Sequence, residues 1–163
     1  MKLLSVSFRA RYKDPMNAKV FLVSLAATTA SFCAVSGEVP AATGVILIGH
    51  EKVATTFAQG GPLISTNNFK VQAGHRTGPG EVEIHDQDTD IFYIQEGSAT
   101  FVTGGKAQGT KVVAPGETRA KEIIGGEAHH LTKGDVIIIP KGVPHWFKEV
   151  DGRFDYFVVK VSK

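Results

Sequence analysis

Between Phe69 and Val161 the chain is cut into short β-type runs closed by glycine, proline, asparagine or aspartate, and this segmentation limits the fold more than any other feature. The runs are Phe69 to Ala73, Glu81 to His85, Asp90 to Gln95, Ser98 to Thr103, Val136 to Pro140 and Phe154 to Val161. They are rich in branched and aromatic residues and too short for helices. Strands that are apolar on one side must find a facing layer, so the pattern predicts an all-β barrel or sandwich of antiparallel strands. Val136 and Ile138 are expected to supply much of its core. Residues 104–122 read as a polar, glycine-containing excursion with a turn at Pro115-Gly116. Ahead of the runs, Glu51 to Ala58 has helical spacing that stops at Gly60-Gly61-Pro62, which predicts a short helix within 44–59.

The length, 163 residues, fits one domain. The first 36 residues stand apart from the rest. From Val20 an apolar run follows Lys19 and ends in small residues, Ala34-Val35-Ser36 before Gly37, the layout of a secretory signal peptide. The run carries Ser24, Thr28, Thr29 and Ser31, whereas a spanning helix needs about 20 mostly apolar residues. The expectation is therefore a secreted or periplasmic protein with no stable membrane span, divided into a signal peptide (1–36), an N-terminal arm (37–68) and a barrel (69–163), started at Met1 or Met16. Cys33, the single cysteine, falls inside the signal, so no disulfide framework is expected. Five of the 18 basic and one of the 16 acidic residues also fall there, leaving 13 basic against 15 acidic residues beyond. That balance leaves no basic stripe to neutralise phosphates and excludes nucleic acid as a partner.

Two segments carry chemistry. In Glu81-Val82-Glu83-Ile84-His85 the two-residue period of a strand puts both carboxylates and the imidazole on one face. In Gly134-Asp135-Val136-Ile137-Ile138-Ile139-Pro140-Lys141-Gly142-Val143-Pro144-His145 a histidine follows an apolar strand and a Pro/Gly turn. Here the chain resembles the cupin superfamily. The second cupin motif is matched by Gly134, Pro140, Gly142 and His145, with Glu149 where asparagine would stand. The first is matched, counting back from Gly97, by Asp90 at the glutamate position and His85 as second histidine; Glu83 replaces the first histidine, and the leading glycine, Gly78, is one place off. The similarity covers roughly residues 69–161.

The resemblance implies a double-stranded β-helix, or jelly roll, with a divalent metal ion inside, held by Glu83, His85, Asp90 and His145 and joining two distant parts of the chain. Mixed imidazole and carboxylate ligands suit iron, manganese, nickel, cobalt or zinc, and ligand type does not choose among them. Asp90 is one methylene shorter than glutamate, so its role is either ligand or partner to a ligand's ring N–H; Gln87 and Asp88 are the substitutes. If Glu83 is not a ligand, it is the candidate general base. Further residues expected to face the cavity are His75 or Arg76, depending on the parity of their strand, Phe92, His129, which shares a face with Leu131, and Trp146 at the mouth. Arg76 would pair with an anionic substrate through its planar fork.

The functional expectation is an exported metal-dependent cupin acting on a small organic molecule, with a dioxygenase-type oxidoreductase preferred. The alternatives are an isomerase or lyase using the metal as Lewis acid, or a non-catalytic binding barrel; a homodimer is expected from the resemblance. The usual serine-elbow, phosphate-loop and thiol chemistries have no motif in the sequence.

Overall fold

The computed structural model describes residues 44–162. The export signal expected over 1–36, Cys33 and the start of the arm lie outside them. No helix among the described residues is long and apolar enough to cross a membrane. The helix α1 (His50–Phe57) precedes β1 (Gly61–Ser65), β2 (Phe69–Arg76), β3 (Val82–His85), β4 (Asp88–Glu96) and β5 (Ser98–Thr103). Then come β6 (Lys106–Gln108), β7 (Lys111–Ala114), β8 (Glu117–Ala120), β9 (Glu122–Ile124) and β10 (Glu127–Thr132), followed by β11 (Val136–Ile139), β12 (His145–Val150) and β13 (Phe154–Ser162). Two antiparallel sheets result, β1-β2-β13-β4-β11 and β10-β5-β12-β3-β8-β7, with β6 and β9 paired as a separate ribbon. Neighbours within a sheet are mostly far apart in sequence, the interleaving of a jelly roll.

Period-two alternation decides what lies between the sheets. Asp88, Asp90, Phe92 and Ile94 of β4 are buried, and so are Phe154, Tyr156, Val158 and Lys160 of β13. Lys160 stands opposite Asp90, Val158 opposite Phe92 and Tyr156 opposite Ile94. From the other sheet Ala99, Phe101, Leu131 and Phe147 complete the core. Its rings meet at centroid distances of 4.5 Å (Phe101 and Phe147) and 5.0 Å (Phe147 and Tyr156); such pairs add about 0.5–1.5 kcal/mol each beyond the area they bury. A Cβ at position 74 would come within 2.2 Å of the Tyr156 ring, so Gly74 is what lets that ring lie against β2. A second cluster, Val82, Val102, Ala120 and Ile123, packs with Trp146 and with Ala107 of the β6–β9 ribbon.

Several expectations change. Val136 and Ile138 face outward, 60% and 59% exposed, while Ile139 is 3% exposed and Ile137 packs on the core. The register explains this: Ile137 lies opposite Phe92 and Ile139 opposite Asp90, and directly opposed residues share a face. On β2 the inward residues are Lys70, Gln72 and Arg76. Phe69 and Val71 are satisfied on the outer side, where they line a groove with Ile46, Ile48 and Ile64. On that side, too, Phe57 of α1 meets Phe157 edge-on, 4.8 Å between centroids. The arm contributes a strand, β1, paired with β2. The 104–122 excursion contains β6, β7, β8 and the start of β9, and β8 pairs with β3. His129 and His130 lie in β10, paired with β5.

Candidate metal centre

In β3, alternation sends Val82 into the second cluster and turns Glu83 and His85 toward the space between the sheets. β12 starts at His145, in register with Glu83. The turn ahead of it is fixed at Gly142, whose φ of +78° is a left-handed conformation that favours glycine. The Gly142 N–H donates to the His85 carbonyl (2.7 Å), so the turn that delivers one imidazole is tied to the residue bearing the other.

Each imidazole is anchored through Nδ1. His85 Nδ1 donates to Glu117 Oε2 at 2.7 Å, and His145 Nδ1 donates to the Val143 carbonyl at 3.0 Å. A carboxylate and a carbonyl only accept, so both Nδ1 atoms carry hydrogen, and each ring in its neutral form presents an Nε2 lone pair. The two Nε2 atoms are buried and make no hydrogen bond. One ligand atom from each of Glu83, His85 and His145 lies within 4.8 Å of the others, with Glu83 Oε2 3.3 Å from His85 Nε2. Buried ring nitrogens normally have partners. Two orphaned lone pairs converging with a carboxylate fit a cation that takes nitrogen and oxygen ligands.

Asp90 joins this cluster under a constraint. Its Oδ2 lies 3.4 Å from His85 Nε2 and 3.7 Å from His145 Nε2, but it accepts a hydrogen bond from Lys160 Nζ at 2.6 Å. Its Oδ1 has no partner. The carboxylate at the family's glutamate position is thus already paired with an ammonium from β13.

Charge is dense here, and burial competes with partners at each group. Burial works to raise the Glu83 carboxyl, but His85, Arg119 and His145 outweigh it and hold it down to about 2. Burial also opposes charge on His85, yet Glu83, Asp90 and Glu117 raise its pKa above the ordinary 6.5 against the opposing charge of Lys160. At His145 burial prevails and the pKa falls, despite the hydrogen bond to Val143 and the charge of Asp90. Arg76 Nη2 and Arg119 Nη1 flank Glu83 at 3.7 and 3.6 Å.

The group opens into a cavity of about 280 Å³, at the small end for organic ligands. Arg76 and Phe92 line it. His75, His129 and Trp146, three residues expected at the cavity, do not. Alternation puts His75 on the outer face of β2, where its Nδ1 meets Asp155 at 2.6 Å. His129 does share a face with Leu131 but is held by Thr103 Oγ1 at 2.9 Å. Trp146 has the opposite parity to His145, packs in the second cluster and donates its Nε1–H to the Gly80 carbonyl at 2.7 Å. Asp88 is bonded to Lys70 and Ser162 instead of substituting for Asp90.

Sequence reasoning missed Lys160, Glu117 and Arg119. The signal for the last two was the two-residue period of Glu117-Thr118-Arg119-Ala120, inside a stretch read as an excursion. For Lys160 it was a lysine on the same parity as Tyr156 and Val158.

Comparison with known proteins agrees with this geometry at the level of fold. No curated protein matches the chain in sequence. Among solved structures, a protein from Bacillus halodurans is similar at 12% identity over 77% of this chain and 87% of that one, with a TM-score of 0.53. The DMSP lyase DddQ from Ruegeria pomeroyi is similar at 17% identity over 64% of this chain and 46% of the lyase, with a TM-score of 0.46. An RmlC-like cupin family protein from Methanocaldococcus jannaschii, with a double-stranded β-helix fold, gives 14% identity, 62% and 76% coverage and a TM-score of 0.44. The cupin family model matches residues 75–163, which takes in β3 to β13, the half-buried Glu83, the buried His85 and His145 and the turn that positions them, and on that match the chain belongs to the cupin family.

Proposed function

We propose that this cupin is a metal-dependent enzyme that holds a divalent ion on Glu83, His85 and His145 and acts on a small organic molecule in the adjoining cavity. The observation that carries it is the pair of buried, unbonded Nε2 atoms aimed at the same space as a carboxylate. Two histidines and one carboxylate with the remaining positions open form the donor pattern of oxygen-activating non-haem iron, which favours the dioxygenase-type reading over a closed binding site. When bound, such an ion supplies a Lewis acid and a template for the substrate. The chain's own residues do the rest. Glu117 and the Val143 carbonyl fix the two rings, Asp90 and Lys160 form an ion pair beside them, and Phe92, Phe147 and Val158 give the cavity an apolar wall.

Metal analysis of the purified protein tests the reading, followed by anaerobic reconstitution with Fe(II) and oxygen-consumption assays against small organic molecules. The expected result is stoichiometric divalent metal in the parent, its loss in His85→Ala and His145→Ala, and oxygen uptake with at least one compound. A parent that binds none of iron, manganese, nickel, cobalt or zinc overturns the metal reading; bound metal with no turnover of any kind favours the binding barrel.

A further inference from the structure

The geometry points to a small organic carboxylate as the ligand of this cavity, held between the open side of the metal site and the guanidinium groups of Arg76 and Arg119. The inference rests on the metal reading above and narrows it to a substrate class.

The argument is one of unmatched charge. Lys160 is paired with Asp90 and Lys70 with Asp88 at 3.0 Å. Glu117 is engaged by His85 Nδ1. That leaves two guanidinium groups leaning on the same carboxylate, Glu83, from either side and at 3.6–3.7 Å, beyond hydrogen-bonding distance. Arg119 Nη1 is buried and makes no hydrogen bond; its other carboxylate neighbour, Glu117, is also 3.6 Å away. With a divalent cation on Glu83, the ion and the two guanidinium groups together would carry more positive charge than Glu83 and Glu117 supply. The remaining carboxylate at the cavity, Glu81, is exposed and is not paired with either of them.

Both guanidinium groups are also held in place to receive a ligand. Arg76 lies over the Phe147 ring, its Cζ 4.7 Å from the centroid, and its Nε donates to Tyr156 Oη at 3.1 Å. These contacts fix the plane of the guanidinium while its Nη2 reaches toward Glu83. Arg119 is placed by β8, in register with Glu83 of β3. A planar carboxylate matches such a fork in geometry and charge, whereas a neutral ligand leaves buried N–H groups unpaired. The volume, about 280 Å³, restricts the ligand to a small acid.

The test compares carboxylates with their neutral amides of nearly the same shape: acetate with acetamide, lactate with lactamide, benzoate with benzamide. The parent protein, Arg119→Gln and Arg76→Gln are loaded with Co(II), and metal content and melting temperature are measured first. Each ligand is then titrated calorimetrically. The expected result is that at least one acid binds the loaded parent about tenfold or more tightly than its amide. That preference should shrink to about twofold or less in Arg119→Gln while Co(II) remains bound. Arg76→Gln gives the same reading if Arg119→Gln does not fold. Absence of preference in every pair, or preference unchanged in both folded variants, overturns the inference and leaves the metal site standing. A parent that takes neither Co(II) nor iron, manganese, nickel or zinc overturns both, and the metal measurement tells the two failures apart.

Discussion

Asp90 is 1% exposed, and its one strong partner is Lys160. Removing one member of a buried ion pair leaves an uncompensated charge and typically costs about 3–5 kcal/mol. Lys160→Met should therefore destabilise the protein by that amount in urea unfolding. It also frees an oxygen lying 3.4 and 3.7 Å from the two unbonded imidazole nitrogens. Added Mn(II) or Zn(II) should then stabilise Lys160→Met more than it stabilises the parent, because Asp90 becomes available as a further ligand. Equal stabilisation in the two proteins would show that Asp90 stays outside the coordination sphere even when released. At this scale Glu83, His85 and His145 were legible in the sequence, since motif spacing alone aligns them. Lys160 was hidden in a run read for its apolar residues, although its partner Asp90 lay on the motif.

Individual strands show where alternation informs and where it fails. Val136 to Ile139 are four consecutive apolar residues, a run with no internal contrast, so only pairing with β4 decides its inward face. Ile139→Ala should cost about 2–5 kcal/mol as a buried large-to-small change, and Ile138→Ala should stay within about 0.5 kcal/mol as a surface change. Both are read from denaturant midpoints, and reversed magnitudes would invert the register described for β11. The strand start at β4 carries a pH-dependent tie. Burial works to raise the Asp88 carboxyl, but hydrogen bonds from Ser162 and Lys70, together with nearby lysine charge, bring it below its ordinary 3.8. A carboxyl lowered by folding adds stability that is fully present above its unfolded value and is lost as pH falls through the folded one. The parent should thus exceed Asp88→Asn in stability at pH 7, and the gap should close in strong acid. A gap that is constant with pH would mean that the side chain acts by packing alone.

Across the molecule, the three ligand candidates come from segments about sixty residues apart in sequence yet sit on adjacent strands of one sheet. The ion was expected to join distant parts of the chain, and so it would, but the seam it closes is local: β3 and β12 share a single register pair, His145 with Glu83. By contrast, β13 is paired with β2 and β4 along nearly its whole length. The weak seam is therefore the place where bound metal adds most. A ligand that binds only the folded state stabilises it by about 2.7 kcal/mol at a hundredfold excess over Kd, and for a domain of this size that corresponds to a rise of several degrees in Tm. Local opening free energies vary across a fold, so the gain should also have an address. Hydrogen exchange with and without Zn(II) should show added protection in β3, in the 140–144 turn and at the start of β12, with little change along β13 or β10. Uniform protection across both sheets would mean that the ion stabilises only through global unfolding, and no added protection at β3 and β12 would place the ion elsewhere.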